Sequence, residues 1–124
     1  MTLIAGAVDD SPVHVLTTAS LAWLRRRLPD AAIDERRFRP NIVLDVLGES
    51  PVEQGWIGRV LSIGRAKLRM TRPTERCVMT TLAQGDLPAD PRVLRCLGEE
   101  ADACFGVYAQ VVQPGEVRVG DSAS

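Results

Sequence analysis

Histidine occurs once in this sequence, as His14, and cysteine three times, as Cys77, Cys96 and Cys104. An odd cysteine count without Cys-x-x-Cys spacing argues against a disulfide framework and against a zinc site. With one histidine, a first-row metal would lack its usual ligands. Any metal held here would have to bring most of its coordination sphere inside a cofactor. A serine-protease order of serine, histidine and aspartate is equally unsupported. There is no glycine-rich phosphate loop, because Gly115 to Gly120 lacks both the spacing and the helix that should follow. No apolar stretch approaches the ~20 residues that span a bilayer. Met1 to Ala7 is apolar, but it lacks a basic start and is too short for a signal peptide. The net charge of −1 provides no bulk attraction to nucleic acid or to an anionic membrane. These absences make a cytoplasmic protein the expectation.

What the sequence does hold is enough for one domain over 1–124, with 45% hydrophobic residues to build a core. Pro12 to Leu16 reads as a strand. Thr17-Thr18 offers an N-cap to a helix from Ala19 to Leu28, with Leu21, Leu24 and Leu28 on one face. Arg25 to Arg27 then form a solvated run near the helix C-terminus. Asn41 to Asp45 reads as a strand. Trp56 to Ile63 and Ala66 to Thr71 alternate as a hairpin about Gly64-Arg65. A strand enters at Cys77. Asp90-Pro91 opens a second helix through Leu97. Phe105 to Val112 and Glu116 to Val119 complete the strands, and 120–124 reads as a flexible polar tail. About seven short strands and two helices predict a mainly β (α+β) barrel.

Three polar clusters stand at strand boundaries: Asp9-Asp10-Ser11, Arg36 to Asn41, and Thr74 to Cys77. The fork of Arg39 suits a phosphate or another planar anion. Asn41 offers a donor and an acceptor together. Arg36 and Arg37 are equally well explained as ion-pair partners of Asp34 and Glu35. His14 alternates within an apolar strand and reads as a barrel-wall residue. Cys96 and Cys104 read as packing residues. Arg76 favours the thiolate of Cys77, the form that attacks electrophiles and binds soft metals. A cysteine beside an arginine is also compatible with a structural role.

With these residues in view, the chain resembles the C-terminal part of a MOSC domain (molybdenum-cofactor sulfurase C-terminal domain), nearest the amidoxime-reducing component branch. The matching segments are Ser11 to Leu21, Arg37 to Val43, Trp56 to Gly58, Arg76 to Thr81, Gly106 to Ala109, and Pro114-Gly115 through Val119 to Asp121. The resemblance implies a β-barrel that binds the molybdopterin form of molybdenum cofactor. It makes Cys77 the protein's ligand to molybdenum and its catalytic residue. Arg39 and Asn41 would contact the pterin phosphate, and Glu75 and Arg76 would flank the ligand. Tyr108 would line the same site, with Asp10 and Ser11 in a polar turn nearby. Pyridoxal phosphate binding is a further association of the family.

Two reactions follow from the resemblance. One is reduction of N-hydroxylated compounds, fed by an electron-transfer protein. The other is sulfur transfer, with Cys77 carrying a persulfide received from a sulfur-donor protein. A third reading is a non-enzymatic module that binds a cofactor or a partner. Longer family members carry an additional N-terminal β-rich region. The barrel is therefore expected to be incomplete on its N-terminal side, closed by a homodimer or by a separate chain. Glu75 stands where a neutral residue would suit an anionic cofactor better.

Overall fold

The computed structural model describes residues 1–8, 12–77 and 81–124. Its strands are β1 Thr2–Gly6, β2 Val13–Thr17, β3 Ile42–Asp45, β4 Val60–Ile63, β5 Ala66–Glu75 and β6 Cys104–Gln113, with helices α1 Thr18–Arg27 and α2 Arg92–Glu100. They form one six-stranded sheet in the order β1-β3-β2-β6-β5-β4. Every pairing is antiparallel except β2 with β3. That parallel pair needs a crossover, which α1 begins.

Alternation along β2 sets the layers. Val13 and Val15 enter an inner core with Leu3, Ile42, Leu44, Ile63, Leu68, Met70 and Val107. Leu16 turns to a second core with Leu21, Trp23 and Leu24 of α1, Val93 and Leu97 of α2, and Phe105. The helices thus cover the β2 side of the sheet. Phe105 and Val107 occupy different cores although two residues apart, because Gly106 between them has φ +79.

The chain's last residues join the sheet's two edges. Thr2 of β1 bridges Ser122, and Ile63 of β4 bridges Ala123. Leu3 donates its N–H to Asp121 O at 2.9 Å, and Ser62 donates to Ser124 O at 2.8 Å. Both edges therefore reach one short segment, which requires the sheet to curl into a half-barrel. The segment read as a polar tail is this bridge, and Ala123 is buried within the inner core. Its small residues suit a narrow seam.

Other expectations are corrected in detail. Among the described residues six strands form, against about seven expected. Thr2–Gly6, passed over as merely apolar, pairs with β3. Gly6 has φ +105, and a Cβ there would lie 1.8 Å from Asn41 O, so only glycine fits. Glu116 to Val119 forms no strand. There Arg118 N–H donates to the Asp121 carboxylate at 2.8 Å, which favours a turn. Val52–Trp56 forms a 3₁₀ helix, so the first hairpin strand starts only at Val60. The strand expected beyond Cys77 falls mostly on 78–80, outside the described residues. The Thr17 cap agrees with the sequence reading, its Oγ1 accepting from Ser20 N–H at 3.1 Å, whereas α2 starts one residue later than read, at Arg92 with Pro91 as its N-cap, although Asp90 Oδ1 still accepts from Arg92 N–H at 3.1 Å. No helix among the described residues is long and apolar enough to cross a membrane.

Glu53, at 0% exposure, places its carboxyl at the start of α1, where Ser20 Oγ donates to Oε1 and Oε2 has no partner. Glu53 thus lies beside the Thr17 cap of α1 as a buried acceptor for the Ser20 hydroxyl. Burial raises its pKa above the ordinary 4.5, more than the hydrogen bonds from Ser20 and Thr17 lower it.

Two outcomes test this frame. Ala123→Asp places a carboxylate in the seam and is expected to cost about 3 kcal/mol in urea unfolding, whereas Val119→Asp on the surface costs under about 0.5. For Glu53 the native pKa exceeds the unfolded one. Its contribution is full below the ordinary carboxylate range and is lost as pH rises through the raised value. Glu53→Gln is therefore expected to reduce the loss of urea midpoint from acidic to neutral pH; equal slopes for both proteins would refute the assignment.

Candidate functional site

His14 is the point at which the polar clusters meet. Its backbone N–H donates to Asn41 Oδ1 at 2.7 Å, and Asn41 N–H returns a bond to His14 O at 2.9 Å. Across the sheet His14 pairs with Tyr108, with ring centroids 6.0 Å apart. The imidazole also meets the Arg76 guanidinium, with Nη2 on Nε2. Because arginine has only donors, Nε2 must be the acceptor and the ring must be neutral.

Arg76 is held almost entirely by backbone. Nη1 donates to Phe38 O at 2.9 Å, and Nε and Nη2 donate to Phe105 O at 3.0 and 2.7 Å. The guanidinium also lies 5.3 Å from the Phe38 ring centroid. No carboxylate pairs with it among the described residues. Burial lowers its pKa to about 10, against smaller opposing influences from Tyr108, Cys77 and Cys104. It remains a cation at neutral pH, with charge-assisted bonds to carbonyls in place of water. Desolvation and the adjacent Arg76 charge push His14 down to about 3, although carbonyls of Arg39, Phe105 and Phe38 pull the other way. Gly106 makes the arrangement possible, since a Cβ there would lie 2.4 Å from His14 Nε2.

Cys77 follows Arg76 directly and is exposed. Glu75, the last residue of β5, is exposed and pairs with Cys104 in register, while the Arg76 side chain turns to His14. Arg39 is exposed at φ 50 and borders an open pocket of about 270 Å³ with Gly6, Glu35, Arg36, Pro40 and Val43. Its Nε donates weakly to Gln84 Oε1 at 3.5 Å. Tyr108 lies beneath Arg72, whose Cζ is 4.4 Å from the ring centroid.

The fold thus brings Asn41, Arg76 and Tyr108 around His14, with the Arg39 backbone beside the ring, and Cys77 is the exposed residue next to Arg76 in the chain. Asp10 and Ser11 lie outside the described residues. Arg36 pairs with Asp34 as expected and also with Asp86. Arg37 does not pair with Glu35. It is 1% exposed and donates to Ala32 O and Pro88 O, each at 2.6 Å, while Nη1 has no partner among the described residues. Sequence reasoning placed His14 in the wall but missed its contact with Arg76. Two residues 62 positions apart give no local signal of contact. Among the described residues no three His, Cys, Asp or Glu side chains converge on a metal position.

The neutral His14 carries a pH signature. Its native pKa lies below the unfolded one, so stability is intact above about 6.5 and is lost as pH falls toward about 3. His14→Gln keeps an acceptor for Arg76 and removes the titration. The difference in unfolding free energy between wild type and variant is expected to change with pH only below about 6.5. Arg76→Ala leaves buried carbonyls without donors and is expected to cost about 3 kcal/mol at neutral pH.

Comparison with known proteins bears on the family and the fold. The family model for the MOSC domain matches residues 4–124. Mitochondrial amidoxime-reducing component 1 of Homo sapiens is 30% identical, over 91% of this chain and 36% of that protein. Mitochondrial amidoxime reducing component 2 of Bos taurus is 32% identical over the same shares. The chain therefore spans little more than a third of these curated relatives. Crystal structures of YiiM from Geobacillus stearothermophilus and Escherichia coli superpose with a TM-score of 0.63 at 17% identity. They share the fold over 98% and 99% of this chain, and over 57% and 60% of their own lengths. A half-barrel with this sequence order, matched by the family model from its first strand to its last residue, belongs to the MOSC domain family.

Proposed function

We propose that this chain binds molybdenum cofactor through the Cys77 thiolate and serves in the reduction of N-hydroxylated compounds. The observation that carries the reading is an exposed thiol directly after a half-buried guanidinium that pairs with no carboxylate among the described residues. Such a site has positive potential and a soft donor, the combination an anionic dithiolene-bound metal requires. The residues present therefore fit the group. The curated relatives are named for amidoxime reduction, which supports the substrate class.

Within this reading each side chain has a limited task. Cys77 would supply the one protein ligand. Arg76 would act as a fixed charge rather than as a hand on the cofactor, because Nε, Nη1 and Nη2 are all committed to the protein. Asn41 gives its carbonyl oxygen to His14, which leaves its NH₂ to donate. Arg39, exposed beside it, would meet a phosphate. His14 is no proton donor at neutral pH, since it is neutral and already engaged by Arg76. When bound, the cofactor supplies the two-electron chemistry that N–O reduction needs, and an electron-transfer protein must replenish it.

The exposure of Cys77 also favours a second reading, persulfide carriage in sulfur transfer, because a sulfur carrier needs an accessible thiol. One measurement separates the two. Protein made in cells that synthesise the cofactor is expected to hold about one molybdenum per chain, with Cys77→Ser losing most of it. Cyanide-labile sulfur on Cys77 without molybdenum would replace the redox reading with sulfur transfer. Neither metal nor labile sulfur would leave a non-enzymatic module.

A further inference from the structure

We propose that the outer face of β4, β5 and β6 is a docking surface for an acidic protein. The helices cover the β2 side of the sheet and leave this face bare. Pleating assigns its members, because Leu61, Leu68, Met70 and Ala109 point into the inner core. Their neighbours Val60, Lys67, Arg69, Thr71 and Gln110 are exposed on the other side, with Val112 beyond. An irregularity between Met70 and Arg72 adds Arg72 to the same face and sets it opposite Tyr108.

The charge on this face is one-sided. From Trp56 to Thr74 the sequence holds Arg59, Arg65, Lys67, Arg69 and Arg72 and no carboxylate, although the whole chain is at −1. Arg65 shares a pocket with Glu116 and Asp121 and so stands apart. Lys67, Arg69 and Arg72 form no ion pair with another described residue, whereas Arg26, Arg27, Arg36, Arg92 and Arg118 all do. Alternate residues of a strand lie about 7 Å apart, so these cations repel along β5 without internal relief. Carboxylates on a partner would relieve them.

Chemistry favours a protein over the other polyanions. Arginine and tyrosine flanked by apolar side chains compose protein interfaces. Here Arg72 lies over Tyr108, and the same face carries Val60, which pairs with Arg69, and Val112 further along β6, at 44% and 47% exposure. Single-stranded nucleic acid needs open aromatic platforms, but Tyr108 already carries Arg72 on its ring. The β4 edge is occupied by Ser124, so a partner meets the face rather than adding a strand at that edge. Tyr108 also pairs with His14, which puts one end of the surface beside the Arg76 cluster. The proposal does not depend on the cofactor assignment.

The test is titration of the protein with a fluorescein-labelled oligoglutamate peptide, read by anisotropy at low and at physiological ionic strength. Binding is expected to weaken about tenfold with added salt. It is expected to fall at least as far in K67E/R69E/R72E, and partly in the neutral K67Q/R69Q. Reversing Arg26, Arg95 and Arg118, which makes the same change in net charge as the triple reversal but off the face, is expected to leave binding within about twofold, with thermal melts confirming that all variants fold. Equal loss from the off-face reversal, or no salt-dependent binding, would overturn the proposal. Tighter binding of single-stranded DNA or of phosphatidylserine vesicles would also overturn it.

Discussion

The contact between Arg76 and His14 is the constraint on which the site depends. A guanidinium brought into a protein interior must replace water at its donors, and here carbonyls of Phe38 and Phe105 do so. Those carbonyls belong to two distant segments, so one side chain fixes the end of β6 against the loop before β3. No carboxylate among the described residues pairs with that charge, which lies beside Cys77 in the chain. The imidazole accepts the remaining donor and is neutral as a result. Structure and electrostatics therefore have a single origin.

Closure of the sheet depends on a different kind of constraint. A six-stranded sheet with two free edges would expose unpaired backbone groups. Asp121 to Ser124 supplies partners to β1 and β4 together. The curl this imposes encloses the inner core on one face and leaves the opposite face to be covered. Helices cover the part near β2. The remaining part is polar and cationic, in keeping with a surface that stays in water until a charged partner arrives.

Much of the fold was legible because its signals are local. Thr17 and Asp90 announce helix starts by side-chain chemistry that acts over two or three residues. Gly64 permits the hairpin turn, and alternation in β5 gives its register. The first strand was not legible: Thr2–Gly6 is short, and its identity comes from pairing with β3 across 40 residues of chain. Glu116 to Val119 has strand composition but meets no partner strand. The roles of Arg36 and Arg37 were also beyond local reading. One faces solvent and pairs with acids, and its neighbour is buried among carbonyls. Adjacent residues in a tight turn point in different directions, and composition does not record which.

The sequence by itself determined the chemistry on offer: one histidine, cysteines without metal-binding spacing, and a thiol preceded by an arginine. It also determined the family, because the matching segments occur in order along the chain. Only the tertiary structure decided what that chemistry does locally. It half-buried Arg76, made His14 its acceptor, turned the Asn41 carbonyl to a backbone N–H and left Cys77 exposed. The reason is physical. Burial and hydrogen-bond partnership are properties of the space around a side chain, and that space is assembled from segments far apart in sequence.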